Sequence, residues 1–222
     1  MGTLLTFEPP APHLRTALRA ATGGADVGEE AARRAMRAEI RHYRAHLHEG
    51  GDAAGLAALR RSSAEAMRAA LPEPAASLPG EELTAALLEA LRFHAYPEVP
   101  RTLRELRGRG IALVVVSNWD VSLHERLAET GLAPLVDGAV ASAELGAAKP
   151  DPVIFARALE IAGSAPADAW HAGDSPEADV EGALAAGVTP VLVAREKDPA
   201  HPAPPGIARI AALDGLLSLL DG

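Results

Sequence analysis

The chain contains no cysteine, which excludes disulfides, thiolate catalysis and cysteine-ligated zinc. Aromatic residues make up only 3%, so alanine, leucine and valine must fill most of any core. No apolar run approaches the ~20 residues needed to cross a bilayer, and the N-terminus lacks a basic segment followed by an apolar one. The expectation is a soluble, cytoplasmic protein. A positive charge excess is also missing. The formal net charge of -9 disfavours nucleic acid and anionic membrane as partners, although a local basic pocket for a phosphate is compatible with it. Met1-Gly2-Thr3-Leu4-Leu5-Thr6 fits the M-G-x-x-x-[ST] myristoylation pattern, but that pattern is short and often met by chance.

What is present is a chain of 222 residues, 48% hydrophobic and 23% charged. That is enough to bury a sizeable core, and its length suits one core domain with a smaller insertion. The character of the chain changes near residue 96. Before it, from about residue 10, the pattern is helical: Met36, Ile40, Tyr43 and Leu47 share one helical face, Gly50-Gly51 stops that helix, and Asp52 is placed to cap the next. After it, helix and strand alternate, with strands expected over 111–116, 139–141, 169–172, 189–193 and 207–210. Residues 111–116 are apolar on both faces, as in a central parallel strand covered by helices. The expected fold is α/β: a Rossmann-like doubly wound parallel sheet, residues 1–9 and 96–222, with an inserted all-helical domain over 10–95. A helical insertion before such a run suggests a lid over the sheet edge where open α/β proteins bind ligands. The proline-rich stretch 199–205 reads as a surface connection.

Three motifs fall at strand ends in the second half. Ser117-Asn118 directly follows the strand at 111–116, where a hydroxyl is placed to donate to a phosphate oxygen; the competing reading is a cap for the next helix, a role Asp120 can also fill. In Lys149-Pro150-Asp151-Pro152, Asp151 caps a helix and Pro152 opens it. Lys149 is then either a solvated surface cation or one that offsets charge beside a phosphoryl group. Gly173-Asp174-Ser175-Pro176-Glu177-Ala178-Asp179 follows the strand at 169–172. Ser175 can cap the helix, and Asp174 and Asp179 can converge on a single magnesium, which favours hard oxygen donors. The alternative makes both acids helix-start residues favoured by the dipole, which explains Asp179 more easily than Asp174.

In order and spacing, these residues resemble the second, third and fourth motifs of the haloacid dehalogenase superfamily. Gly2-Thr3-Leu4 resembles the tail of its first motif, D-x-[D or apolar]-G-T-L, and the helical block lies where one branch inserts a cap. The resemblance implies a hydrolase, most simply a magnesium-dependent phosphatase acting on a small phosphorylated metabolite through an aspartyl-phosphate. Ser117 and Lys149 would be catalytic, and Asp174 and Asp179 would hold Mg2+. Thr3, Asn118 and Trp119 would line the phosphate and substrate site.

Aligned in this way, the nucleophilic aspartate falls two residues before Met1, together with the apolar strand leading to it, so the sequence reading places the true start upstream and expects no turnover from these 222 residues alone. Burying about five apolar side chains contributes on the order of 7–15 kcal/mol, comparable with the net stability of a domain. Met1 stands where family phosphatases usually carry a second aspartate. An apolar residue there suits the metal-free dehalogenase branch, so a 2-haloacid dehalogenase is one rival and an inert binding protein of the same fold another. The paired acids favour magnesium, because two carboxylates converging without a cation repel. Other polar residues have simpler readings. His42 and His46 share a helical face but have no evident third ligand. Arg37, Arg41 and Arg44 form a solvated stripe unless the insertion turns it toward a substrate. His171 reads as a packed strand residue.

Overall fold

The computed structural model describes residues 2–195 and 205–221. Met1 and all but the last residue of the proline-rich stretch 199–205 lie outside the described residues. The chain divides into a helical unit, Phe7–Phe93, and an α/β unit formed by Met1–Thr6 with His94–Gly222.

The helical unit comprises α1 (Pro10–Ala21), α2 (Glu29–His46), α3 (Ala53–Arg68) and α4 (Gly80–Ala90). Proline opens α1 at a position whose N–H has no intrahelical acceptor. The Asp52 carboxylate accepts from Gly55 N at 2.8 Å and so caps α3. Leu14, Leu18, Met67, Leu83 and Leu87 interlock with Ala32 and Ala35 in one aliphatic core, the small side chains letting the helices approach closely. The inward face of α2 differs from the expected one. Ala31, Ala32, Ala35, Met36 and Glu39 are buried, whereas Ile40, Tyr43 and Leu47 are only half-buried. The packing follows the alanine stripe rather than the larger apolar residues, and this turns an acid inward. Burial pushes the Glu39 carboxyl up to about 7, with no neighbouring charge to offset it.

In the α/β unit, α5 (Val99–Gly108), β3 (Val114–Ser117), α6 (Leu123–Glu129), β4 (Gly138–Ala141), α7 (Ser142–Leu145) and α8 (Pro152–Ala162) precede β5 (Trp170–Gly173), α9 (Gly182–Ala185), β6 (Thr189–Val193), β7 (Ala208–Ile210) and α10 (Gly215–Leu220). Earlier strands β1 (Leu5–Phe7) and β2 (Phe93–Ala95) pair where the chain passes between the units. All the longer returns are parallel: Val114 lies opposite Gly138, Trp170 opposite Thr189, and Val191 opposite Ala208. Parallel strands joined through helices make a Rossmann-like α/β core. Ile154, Phe155, Val140 and Val188 form one of its apolar clusters.

Two expectations change in detail. The strand expected over 111–116 pairs only from Val114. Leu113 instead exchanges bonds with Asp137, whose N donates to Leu113 O at 2.7 Å and whose carboxylate accepts from Leu113 N at 2.7 Å. Nor is β3 central among the described strands: it pairs with β4 alone, while β5 pairs with β6 alone. The helix that Ser175 is expected to cap opens as a wide π-turn, Pro176–Glu181, before tightening into α9.

Glu39 gives a pH dependence of definite sign. Its folded carboxyl binds a proton more tightly than the unfolded one, so its share of stability is full at acid pH and is lost as pH rises between the two values, 4.5 and about 7. Glu39→Gln is expected to raise unfolding free energy by about 1–3 kcal/mol near pH 8 and to change it little near pH 4, as read by urea denaturation.

Candidate active site

Ser117 ends β3, so its side chain stands at the carboxyl end of the parallel strands, where open α/β sheets bind their ligands. Asn118 clasps the loop that carries the lysine: its Nδ2 donates to Lys149 O at 2.9 Å, and Lys149 N donates to its Oδ1 at 2.7 Å. Both polar atoms of the amide are thereby engaged. Trp119 is 9% exposed. Its backbone N donates to Ser142 Oγ at 3.1 Å and its indole Nε1 to Ser122 Oγ at 3.3 Å. Asp151 caps α8 by accepting from Val153 N at 2.9 Å. The Lys149–Pro150 peptide is cis, and the ammonium turns inward rather than out to solvent.

Lys149 Nζ donates to Val116 O at 2.9 Å and to Asp179 Oδ1 at 2.5 Å. The same carboxylate oxygen lies 2.9 Å from His171 Nε2, and Oδ2 accepts from Ser175 N at 2.9 Å. The π-turn places Asp179 there. Both Asp179 N and Val180 N donate to Ser175 O, widening the first turn, while Ser175 Oγ caps it by accepting from Ala178 N. Such wide turns are frequent at functional sites. Gly173 is required beneath, since a Cβ there would sit 2.1 Å from Asp179 Cγ. Burial alone would raise the Asp179 carboxyl, but the His171 hydrogen bond and the Lys149 charge outweigh it and hold the group well below the usual carboxylate range.

Asp174 faces the N-terminal segment. Thr3 Oγ1 donates to Asp174 Oδ1 at 2.7 Å, and a Cβ on Gly2 would lie 2.6 Å from Asp174 Oδ2, so only glycine permits this approach. A cavity of about 520 Å³ collects these groups: Thr3, Ser117, Trp119, Lys149, Asp174 and Asp179 all line it, with His171 and the apolar side chains of β3. Six of the seven residues expected at the site thus share one cavity; Asn118 stands behind it, holding the lysine loop. The sequence reading missed His171 as a site residue, placing it only in packing. Its ring does meet Phe155 edge-on at 5.0 Å, but its nitrogen serves Asp179. The available signal was a lone imidazole in an otherwise apolar strand, which needs a polar partner when buried.

The donor set tests the magnesium expectation. Sequence spacing gives Asp174 and Asp179 to one cation, but in the structure Asp179 is committed to Lys149 and His171. Among the described residues no group of three or more acidic or histidine side chains is gathered for a metal. Asp174 lines the cavity, which fits magnesium's habit of using one or two protein carboxylates with water and phosphate completing its shell.

With Lys149 and Asp179 side chains only 11% and 5% exposed, removing one partner strands the other. Lys149→Met is expected to cost about 3–5 kcal/mol of stability in urea unfolding, and adding Asp179→Asn to recover part of it. Because the folded carboxyl is more acidic than the unfolded one, the pair's contribution is full above 3.8 and falls as pH drops below it.

Comparison with known proteins agrees with this geometry. Over 115 residues the chain is 42% identical to a phosphoserine phosphatase of Thermus thermophilus, a match covering 51% of this chain and 46% of that protein. The chain therefore spans about half the length of the curated relatives it matches. A HAD phosphatase of Thermococcus onnurineus superposes over 100% of this chain and 95% of its own, with a TM-score of 0.66 and 26% identity. A 2-haloacid dehalogenase of Pseudomonas syringae, 24% identical with a TM-score of 0.63 over 99% of this chain and 94% of its own, shares the fold. The family model for haloacid dehalogenase-like hydrolases matches residues 1–187, and the chain belongs to that family.

Proposed function

We propose that the protein is a magnesium-dependent phosphatase of small phosphorylated metabolites. The observation that carries this reading is the shared cavity at the carboxyl ends of β3 and β5, where a hydroxyl, an ammonium and a carboxylate from distant stretches converge. Ser117 donates to a phosphoryl oxygen. Lys149, fixed by Val116 O and Asp179, sets a positive charge beside the transferring group and keeps it from moving during reaction. Asp179 and His171 act through that lysine. Asp174 would hold magnesium, which when bound neutralises charge on the phosphoryl oxygens. Thr3 fixes Asp174, and Trp119 forms part of the pocket wall.

In this reading the attacking group is the aspartate that the family's first motif places two residues before Met1. Its carboxylate oxygen forms a bond to phosphorus as the P–O ester bond breaks and the departing oxygen takes a proton from water; a second water then cleaves the aspartyl-phosphate, releasing inorganic phosphate and a proton. The strand leading into that aspartate belongs between β3 and β5. Support comes from the strand pairing among the described residues: β3 and β5 each have a single strand partner, and residues of both, Val114 to Val116 and Trp170 to Ala172, line the cavity. The helical unit is assigned to substrate selection.

The test compares the 222-residue chain with one extended upstream through that aspartate, on a panel of phosphomonoesters with and without a chelator. The extended protein is expected to release phosphate, to lose activity in the chelator, and to lose at least about a hundredfold in kcat on Asp174→Asn or Lys149→Met. The shorter chain is expected to bind inorganic phosphate without turnover. Chloride release from 2-chloropropionate that survives the chelator would transfer the assignment to haloacid hydrolysis, and no turnover of either substrate class would make the fold a binding protein.

A further inference from the structure

Arg195, just beyond β6, reaches back across the sequence to the first residues of the chain. Its Nε donates to Gly2 O at 2.7 Å and its Nη2 to Thr3 O at 2.8 Å. The same Nη2 donates to Glu98 Oε1 at 2.6 Å, and the guanidinium carbon stands 3.4 Å from the centroid of the Tyr96 ring. Tyr96 N in turn donates to Leu4 O at 3.1 Å. Three successive carbonyls, those of Gly2, Thr3 and Leu4, are therefore all drawn to the Tyr96–Arg195 side. The arginine is fixed from behind as well, since Ala194 N donates to Ile210 O at 2.8 Å.

A trans peptide is planar, and its N–H points opposite to its carbonyl. Holding the Gly2 and Thr3 carbonyls on the guanidinium therefore turns the N–H groups of Thr3 and Leu4 to the other side. Neither of these amides donates to an oxygen of a described residue, and both residues line the cavity that holds Ser117, Lys149 and Asp174. Two adjacent outward N–H groups on the wall of a cavity that also holds a lysine make a receptor for an anion.

We propose that Arg195 is a positioning residue, acting through the Gly2–Thr3 backbone to present the amides of Thr3 and Leu4 to a phosphoryl group. Its own charge is answered by Glu98, so it contributes geometry rather than attraction. The planar fork serves two adjacent carbonyls at once, which a lysine ammonium on a flexible stem does not reproduce. This assignment rests on the phosphoryl reading of the site.

The test follows binding of inorganic phosphate with magnesium by calorimetry and by residue-resolved amide NMR, with urea unfolding in parallel. In the wild-type protein, phosphate is expected to shift the Thr3 and Leu4 amide resonances. Arg195→Ala is expected to weaken phosphate binding by about tenfold or more and to abolish those two shifts; added guanidinium at low concentration restores both. Arg195→Lys keeps the stability of the fold without recovering the amide response. If Arg195→Ala binds phosphate as tightly as wild type, with the same Thr3 and Leu4 shifts, the positioning role is overturned while the phosphoryl reading stands. If the wild-type protein binds no phosphate, the phosphoryl reading fails and the positioning role with it.

Discussion

The buried contact between Lys149 and Asp179 is the constraint around which the α/β unit is organised. An ammonium and a carboxylate taken so far out of water are costly unless each is fully answered, and here they are. The lysine has Asp179 and Val116 O; the carboxylate has Lys149, His171 and Ser175 N. Those partners come from the end of β3, the loop before α8, and β5 with the turn that follows it. Satisfying the pair therefore fixes the end of β3, the loop before α8 and the turn after β5 relative to one another.

Much of the local detail serves that arrangement. Asn118 holds the backbone of Lys149 from the side of β3, while Gly173 leaves room for the Asp179 carboxylate directly above the strand. The π-turn supplies the extra reach that an ordinary first turn lacks, so the widened geometry is part of the site rather than an irregularity beside it. The Gly2-Thr3 segment meets Asp174 under a different set of restraints. The site is thus held by a buried ion pair and by hydrogen bonds to the Gly2 and Thr3 carbonyls, joined through the loop that carries Asp174.

The sequence carried the architecture because helix-strand alternation and capping residues are local signals. Asp52, Asp151 and Ser175 cap as their positions suggest, and the strands fall close to the apolar runs. It also carried the motif residues, since Ser117 and Asp174 stand at or just after strand ends and Lys149 just before a capped helix. What it could not carry were relations with no period. His171 differs from a packed residue only by having Asp179 across the turn. Arg195 sits 193 positions from Gly2, and nothing in its neighbourhood marks the carbonyls it will meet. Glu39 was hidden for another reason: the pattern favoured Ile40 and Tyr43, but close packing through small alanines rotated α2 toward its acid. Similarly, spacing alone brought Asp174 and Asp179 together on paper, whereas competition for the carboxylate gave one of them to lysine.

Among the described residues β3 pairs only with β4 and β5 only with β6, which has a consequence for behaviour in solution. A strand with one free side presents a row of backbone donors and acceptors that any extended chain can match, and such rows promote association between molecules when nothing covers them. Here two of them face a common apolar hollow. An uncovered strand edge of this kind favours pairing with an extended segment of another molecule.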